Sequence, residues 1–203
     1  MTRPIGNTGT DEPLIPAFSP AIDSGIEYLA ELPTPERIPA RTLLLKQNVR
    51  PKYVHLIRSG VVRLDYANAN GQEIMLGLRS EGCWLGAALS LIDVPSVFSA
   101  TTVTACSISR IPVDDFSEML AKRPRMLRHF ISSQCRELVV EYSHSIMQAS
   151  PAEQRLHHLR DELSNSLWKT IDPSAVMKQC EVAKLLAITP EHFSRLLHRA
   201  PRS

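Results

Sequence analysis

Residues 179–199, QCEVAKLLAITPEHFSRLLHR, hold the densest set of side chains that could read another molecule. Two short helical patterns meet at Ala187-Ile188. Thr189 is placed to cap the second and Pro190 to pre-set its first turn. This is the pattern of a helix-turn-helix. The second helix turns Phe193, Leu196 and Leu197 inward, which leaves Glu191, His192, Ser194, Arg195 and Arg199 on its outer faces. Arg195 can donate two hydrogen bonds to a guanine edge, Glu191 can accept from a cytosine amine, and Ser194 can reach a base or a phosphate. Arg199, at the far end, suits a backbone phosphate. The plain alternative is a helical hairpin with a solvated basic face.

Charge supports the first reading. The 203 residues carry 23 basic and 21 acidic side chains, a net +2. Residues 1–174 hold 18 basic and 19 acidic groups, and residues 175–203 hold 5 and 2, so the excess positive charge lies in the last stretch. No apolar run is long enough to cross a bilayer, and no charged start leads into an apolar stretch, so a cytoplasmic protein is expected. Cys83, Cys106, Cys135 and Cys180 form no metal-ligand spacing and read as reduced, mostly buried thiols. The histidines are scattered, with His55 isolated among strand residues. No metal or other cofactor is expected.

The elements that must carry the head precede it. Seven of the fifteen prolines fall in residues 1–39, so residues 1–24 read as a mobile tail, followed by a short helix around Gly25–Leu32. From Thr42 to Pro112 short runs of strand character alternate with turn signals. They are 42–46, 53–58, 61–66, 73–78, 83–86, 99–104 and 106–111, with Ser59-Gly60, Asn70-Gly71 and Glu81-Gly82 between them. That rhythm predicts an antiparallel barrel or jelly roll. Asp114 or Asp115 can cap a helix to about Lys122, and Pro124 suits the first turn of a long one. Along it Leu127, Ile131, Cys135, Leu138, Tyr142 and Ile146 recur at steps of 4, 4, 3, 4 and 4. Such a seam over about three heptads supports self-association, the alternative being packing on its own barrel. Ser150-Pro-Ala-Glu153 is a capping box that starts another helix, to about Trp168.

The order of barrel, long helix and helix-turn-helix resembles the Crp/Fnr family, the catabolite-activator and fumarate–nitrate regulators. The likeness covers about residues 40–199. It rests on Leu56-Ile-Arg-Ser-Gly60-Val-Val-Arg-Leu64, Gly71-Gln-Glu and Gly82-Cys-Trp-Leu-Gly86, then on Glu181-Val-Ala183, Ile188-Thr-Pro-Glu191 and Ser194-Arg195. It implies an α+β chain in three parts. These are a double-stranded β-helix of the cyclic-nucleotide-binding type (25–123), a dimerisation helix (124–149) and a helix-turn-helix domain (150–203). It also implies a homodimeric transcription regulator whose Glu191, Ser194 and Arg195 read a TTGA-type palindrome, with RNA polymerase as a further candidate partner.

Three departures shape the expectation. Cyclic-nucleotide binders carry a glutamate where this chain has Ala87, and an arginine where it has Phe98. Without that cation a cyclic phosphate would be poorly held, so no cyclic AMP response is expected. Gly86, Ala87, Leu91, Phe98 and Ser99 would line the family's effector pocket, and their apolar character suggests a neutral small ligand or none. The iron–sulfur cysteines of the Fnr branch are missing. The family's two-stranded wing has no counterpart either, since only Ala200-Pro-Arg-Ser203 follows, so weak DNA binding or a truncated chain is expected. Two other functions compete. One is an effector- or protein-binding sensor with a vestigial DNA head. The other is a cupin-type enzyme, which the absence of a His-x-His metal cluster opposes.

Overall fold

The computed structural model describes residues 31–165 and 177–199. The tail, most of the Gly25–Leu32 helix and the end of the helix expected to reach Trp168 lie outside those residues. Eight strands form the barrel: β1 (Glu36–Ile38), β2 (Leu43–Leu45), β3 (Tyr53–Ser59), β4 (Val62–Ala67), β5 (Glu73–Arg79), β6 (Trp84–Leu85), β7 (Ser99–Thr102) and β8 (Cys106–Pro112). They make two antiparallel four-stranded sheets, β1-β8-β3-β6 and β2-β7-β4-β5. This is the expected jelly roll. Leu45, Ile57, Val62, Leu64, Leu85, Ala100 and Ile108 fill the space between the sheets.

The turns follow local chemistry. Gly60, between β3 and β4, has φ +94°, and a Cβ there would lie 2.6 Å from Cys106 Sγ and 2.7 Å from the Ala105 carbonyl. Only glycine fits. At the β4–β5 hairpin Gly71 has φ +76°. Asn68 Oδ1 accepts hydrogen bonds from the Asn70 and Gln72 amides, each at 3.0 Å, and so closes the turn.

Helix α1 (Ala87–Leu91) interrupts the barrel after Gly86. Helices α2 (Val113–Lys122) and α3 (Pro124–Gln148) cover the outer face of the first sheet. Val54, Leu56 and Ile111 point out to meet them, beside Trp84, Phe116 and Phe130. Those three rings lie 5.3–6.2 Å apart, close enough for tilted and edge contacts. Two capping expectations are corrected. Helix α2 starts at Val113 after Pro112, so Asp114 and Asp115 sit in its first turn, where the carboxylates meet its positive end. The Ser150 hydroxyl donates to the Ile146 carbonyl of α3 at 3.3 Å rather than capping α4 (Ala152–Asn165). The thiol expectation holds for half its members: Cys83 and Cys106 are buried, whereas Cys135 and Cys180 are exposed.

Candidate functional site: the terminal helix pair and the barrel cavity

Two short helices, α5 (Gln179–Leu185) and α6 (Pro190–Arg199), stand where the sequence places its reading residues. Ala187 takes a left-handed φ of 50° and turns the chain between them. The Thr189 hydroxyl oxygen accepts the His192 amide at 3.2 Å and caps α6. Helix α5 lacks a Ser or Thr cap. Its Lys178 amide is satisfied instead by Glu181 Oε2 at 2.8 Å.

Packing decides which face of α6 is free. Phe193 and Leu196 are buried with Leu185, Leu186 and Ala183 of α5. Glu191 and Arg195 are exposed and His192 and Ser194 half-buried, so Glu191, Ser194 and Arg195 share a ridge one helical turn long. Of Arg199 only the helical backbone is described. The Glu191 carboxyl is held below the usual carboxylate range by its own backbone amide and the Thr189 hydroxyl, with a smaller contribution from Arg195. It is therefore an ionised acceptor at neutral pH.

The same core extends into the barrel, since Val61, Met75 and Leu78 join it. Ion pairs reinforce that contact. Glu181 Oε1 accepts from Arg63 Nη1 of β4 at 2.7 Å, Arg63 Nε also donates to Asp65 at 2.7 Å, and Lys184 lies 3.6 Å from Glu73 of β5. The sequence reading missed this junction. Its residues are 118 positions apart in the Arg63–Glu181 pair, and no local pattern links them.

A cavity of about 480 Å³ lies between β4, β5, α1 and α3. Gly86 and Phe98 line it, together with Leu64, Trp84 and Leu89. The other expected pocket residues are placed differently. Ala87 is fully buried, Leu91 is 45% exposed, and the Ser99 hydroxyl oxygen accepts the Gln47 amide at 3.1 Å. The expectation of an apolar lining is corrected. Arg79 reaches the cavity from the end of β5 with its side chain 8% exposed, and it donates Nε to Glu137 and Nη2 to Glu141, both of α3. Its Nη1 donates to the Leu78 carbonyl at 2.9 Å. Burial works against the guanidinium charge, but the carboxylates outweigh it and Arg79 stays protonated. Its cation is thus engaged by the chain's own carboxylates.

Among the described residues no group of three or more His, Cys, Asp or Glu could hold a metal ion, and no helix is long and apolar enough to cross a membrane. On α3 the predicted seam stands out from the barrel: Leu127, Ile131, Cys135, Leu138, Tyr142 and Ile146 are all exposed.

Comparison with known proteins agrees with this geometry. Residues 35–123 match the cyclic nucleotide-binding domain family. A curated protein of Lacticaseibacillus casei, "Probable transcriptional regulator flp", is 24% identical over 189 residues, 92% of this chain and 84% of that one. Among solved structures, the c-di-GMP responsive global regulator CLP of Xanthomonas campestris superposes with a TM-score of 0.71. It is 18% identical over 88% of this chain and 94% of its own. FixK2 of Bradyrhizobium japonicum gives 0.68, with 15% identity over 82% and 83% of the two chains. With the barrel, the long helix and the motifs of the terminal helix pair, these matches show a cyclic nucleotide-binding type of fold and a chain similar to transcription regulators over most of its length.

Proposed function

We propose that this chain is a transcription regulator of the Crp/Fnr type, acting as a homodimer that reads a TTGA-type palindrome with α5 and α6 as a helix-turn-helix. The observation that carries this is the division of α6: its apolar residues are committed to the core, and Glu191, Ser194 and Arg195 are left together on the outer ridge. Arg195 would take a guanine edge, Glu191 a cytosine amine and Ser194 a base or phosphate. Two such helices would enter successive major grooves if the exposed seam of α3 pairs two chains. Because α5 is pinned to the barrel through Arg63 and Glu181, a change in the barrel would be passed to the reading helix without a flexible intermediate. Cyclic AMP is not the effector in this proposal, since Ala87 and Phe98 supply neither the carboxylate nor the cation it needs, and Arg79 is already paired.

A gel shift on a TTGA palindrome tests the assignment. Wild-type binding should weaken steeply with salt. Arg195→Ala should cost about 1–3 kcal/mol and relax discrimination at one base pair. Binding unchanged by that substitution refutes the reading role. Calorimetric titration with cyclic AMP should show no binding, and a micromolar Kd overturns the effector argument.

A further inference from the structure

The barrel holds another cavity, of about 330 Å³, which shares no lining residue with the first. It opens between β1, β3 and β8 of one sheet and β2 of the other. Ile38, Leu45 and Ile108 supply an apolar wall. Leu43 and Val49 also line it and are 53% and 47% exposed, so apolar surface faces open space there. His55 of β3 lies in the lining, 6% exposed, and its Nδ1 has no hydrogen-bond partner. A buried ring nitrogen left unpaired is uncommon and calls for an explanation.

The charged groups around this cavity are mostly of one sign. Lys46, Arg50, Lys52 and Arg110 line it against a single carboxylate, Glu36. Arg50 is paired with Asp93. Arg110 stacks over the Tyr53 ring at 4.6 Å and is 3.8 Å from Glu36, a long contact that leaves much of its charge available. Lys46 and Lys52 are exposed and make no ion pair among the described residues.

We propose that this cavity is a binding site for a small organic acid with an apolar body. The carboxylate would lie among Lys46, Lys52 and Arg110, and the body against Ile38, Leu45 and Ile108. A hydroxyl at the far end would meet the His55 ring. The chemistry of each part matches what the cavity lacks. Cations at an open mouth attract an anion without requiring its full desolvation. The apolar wall loses its contact with water. Burial and the nearby Arg110 charge push the His55 pKa down to about 4, so the ring is neutral at pH 7. A neutral ring carries one donor and one acceptor, and a hydroxyl can satisfy either. An inorganic anion would leave the apolar wall and His55 unmet, and a neutral alcohol would leave the cations unmet.

The test uses the full chain, uniformly isotope-labelled, and four probes: 4-hydroxybenzoate, benzoate, benzyl alcohol and inorganic phosphate. The expected result is a saturable shift of the His55 ring signals with 4-hydroxybenzoate, a smaller one with benzoate, and none with the other two at equal concentration. His55→Phe keeps the cavity filled with a ring and removes the polar contact. Read from the Ile38 and Ile108 backbone amide shifts, it should weaken 4-hydroxybenzoate about tenfold and leave benzoate within about threefold. Lys46→Glu with Lys52→Glu should weaken both acids. The proposal is overturned if no probe moves the His55 signals, or if benzyl alcohol binds as well as the acids. It is also overturned if the shifts map to Trp84 and Arg79 instead. The wild-type spectra decide the matter even if His55→Phe does not fold.

Discussion

Met126, Phe130 and Val140 on one face of α3 are 2%, 6% and 5% exposed, whereas the apolar residues of the neighbouring seam, from Leu127 to Ile146, are 39% to 63% exposed. Both sets recur near the heptad period, and the seam is the more regular of the two. Yet the less regular set is the buried one, with Met126 and Phe130 packed beside barrel residues. A helix of 25 residues runs about 37 Å, and its apolar contact with the barrel lies where Met126 and Phe130 join the aromatic cluster of Trp84 and Phe116. Regular spacing therefore marks a face that can be buried without telling what buries it. Between the two stripes Gln134, Glu137 and Glu141 form a polar strip that closes the larger cavity. The helix is thus wall, cavity lining and exposed seam at once.

Substitutions can separate these roles. The largest effect is expected on the covered face. Phe130→Ala removes a ring in contact with Trp84 and Phe116 and should cost about 3–5 kcal/mol in urea unfolding. A loss below about 1 kcal/mol contradicts the role given to that face. The next effect involves neither face and serves as a barrel control. The His55 imidazole titrates at 6.5 unfolded and about 4 folded, so between those values the unfolded chain holds the extra proton. Stability should fall as pH drops from 6.5 towards 4, by about 3 kcal/mol at the lower end. His55→Gln should flatten that slope, and an unchanged slope assigns it to other groups.

On the exposed face, Leu138→Asp should weaken self-association by at least about a hundredfold, or about 2.7 kcal/mol. The melting temperature of the dilute chain should move by only a few degrees. Sedimentation across a concentration series reads both, and an unaltered association constant removes the seam from the dimer. The smallest effect is expected on the polar strip. Arg79→Met should cost about 1–2 kcal/mol, because Glu137 and Glu141 are partly exposed and regain water when the cation is removed. Adding Glu137→Gln should recover part of that loss, and strictly additive losses deny the coupling.

Much of the barrel was legible. Strands β2 to β8 fall within a residue or two of the expected segments, because alternation and turn glycines are local signals. Strand β1 and helix α1 were not. Glu36-Arg-Ile38 is too short to alternate visibly and exists by pairing with Cys106–Ile108. Ala87–Leu91 is a single turn or so, begun by the left-handed Gly86. The ridge of Glu191, Ser194 and Arg195 was legible because one helix carries both its buried and its exposed faces. The expected effector pocket was less so. Arg79 reads as the end of an ordinary strand, and its partners lie 58 and 62 positions further along.

The sequence by itself determined the order of elements, the inward and outward faces of α6 and the seam of α3, since each is written in the spacing of neighbours. Tertiary structure alone decided three things: which stripe of α3 is buried, that α5 is pinned to β4 by Arg63, and that Arg79 meets two carboxylates in the cavity. It also left His55 Nδ1 unpaired beside an open apolar wall. Those outcomes depend on side chains brought together across tens of residues. Burial, which sets the strength of a charge or an unpaired nitrogen, exists only once the chain has closed on itself.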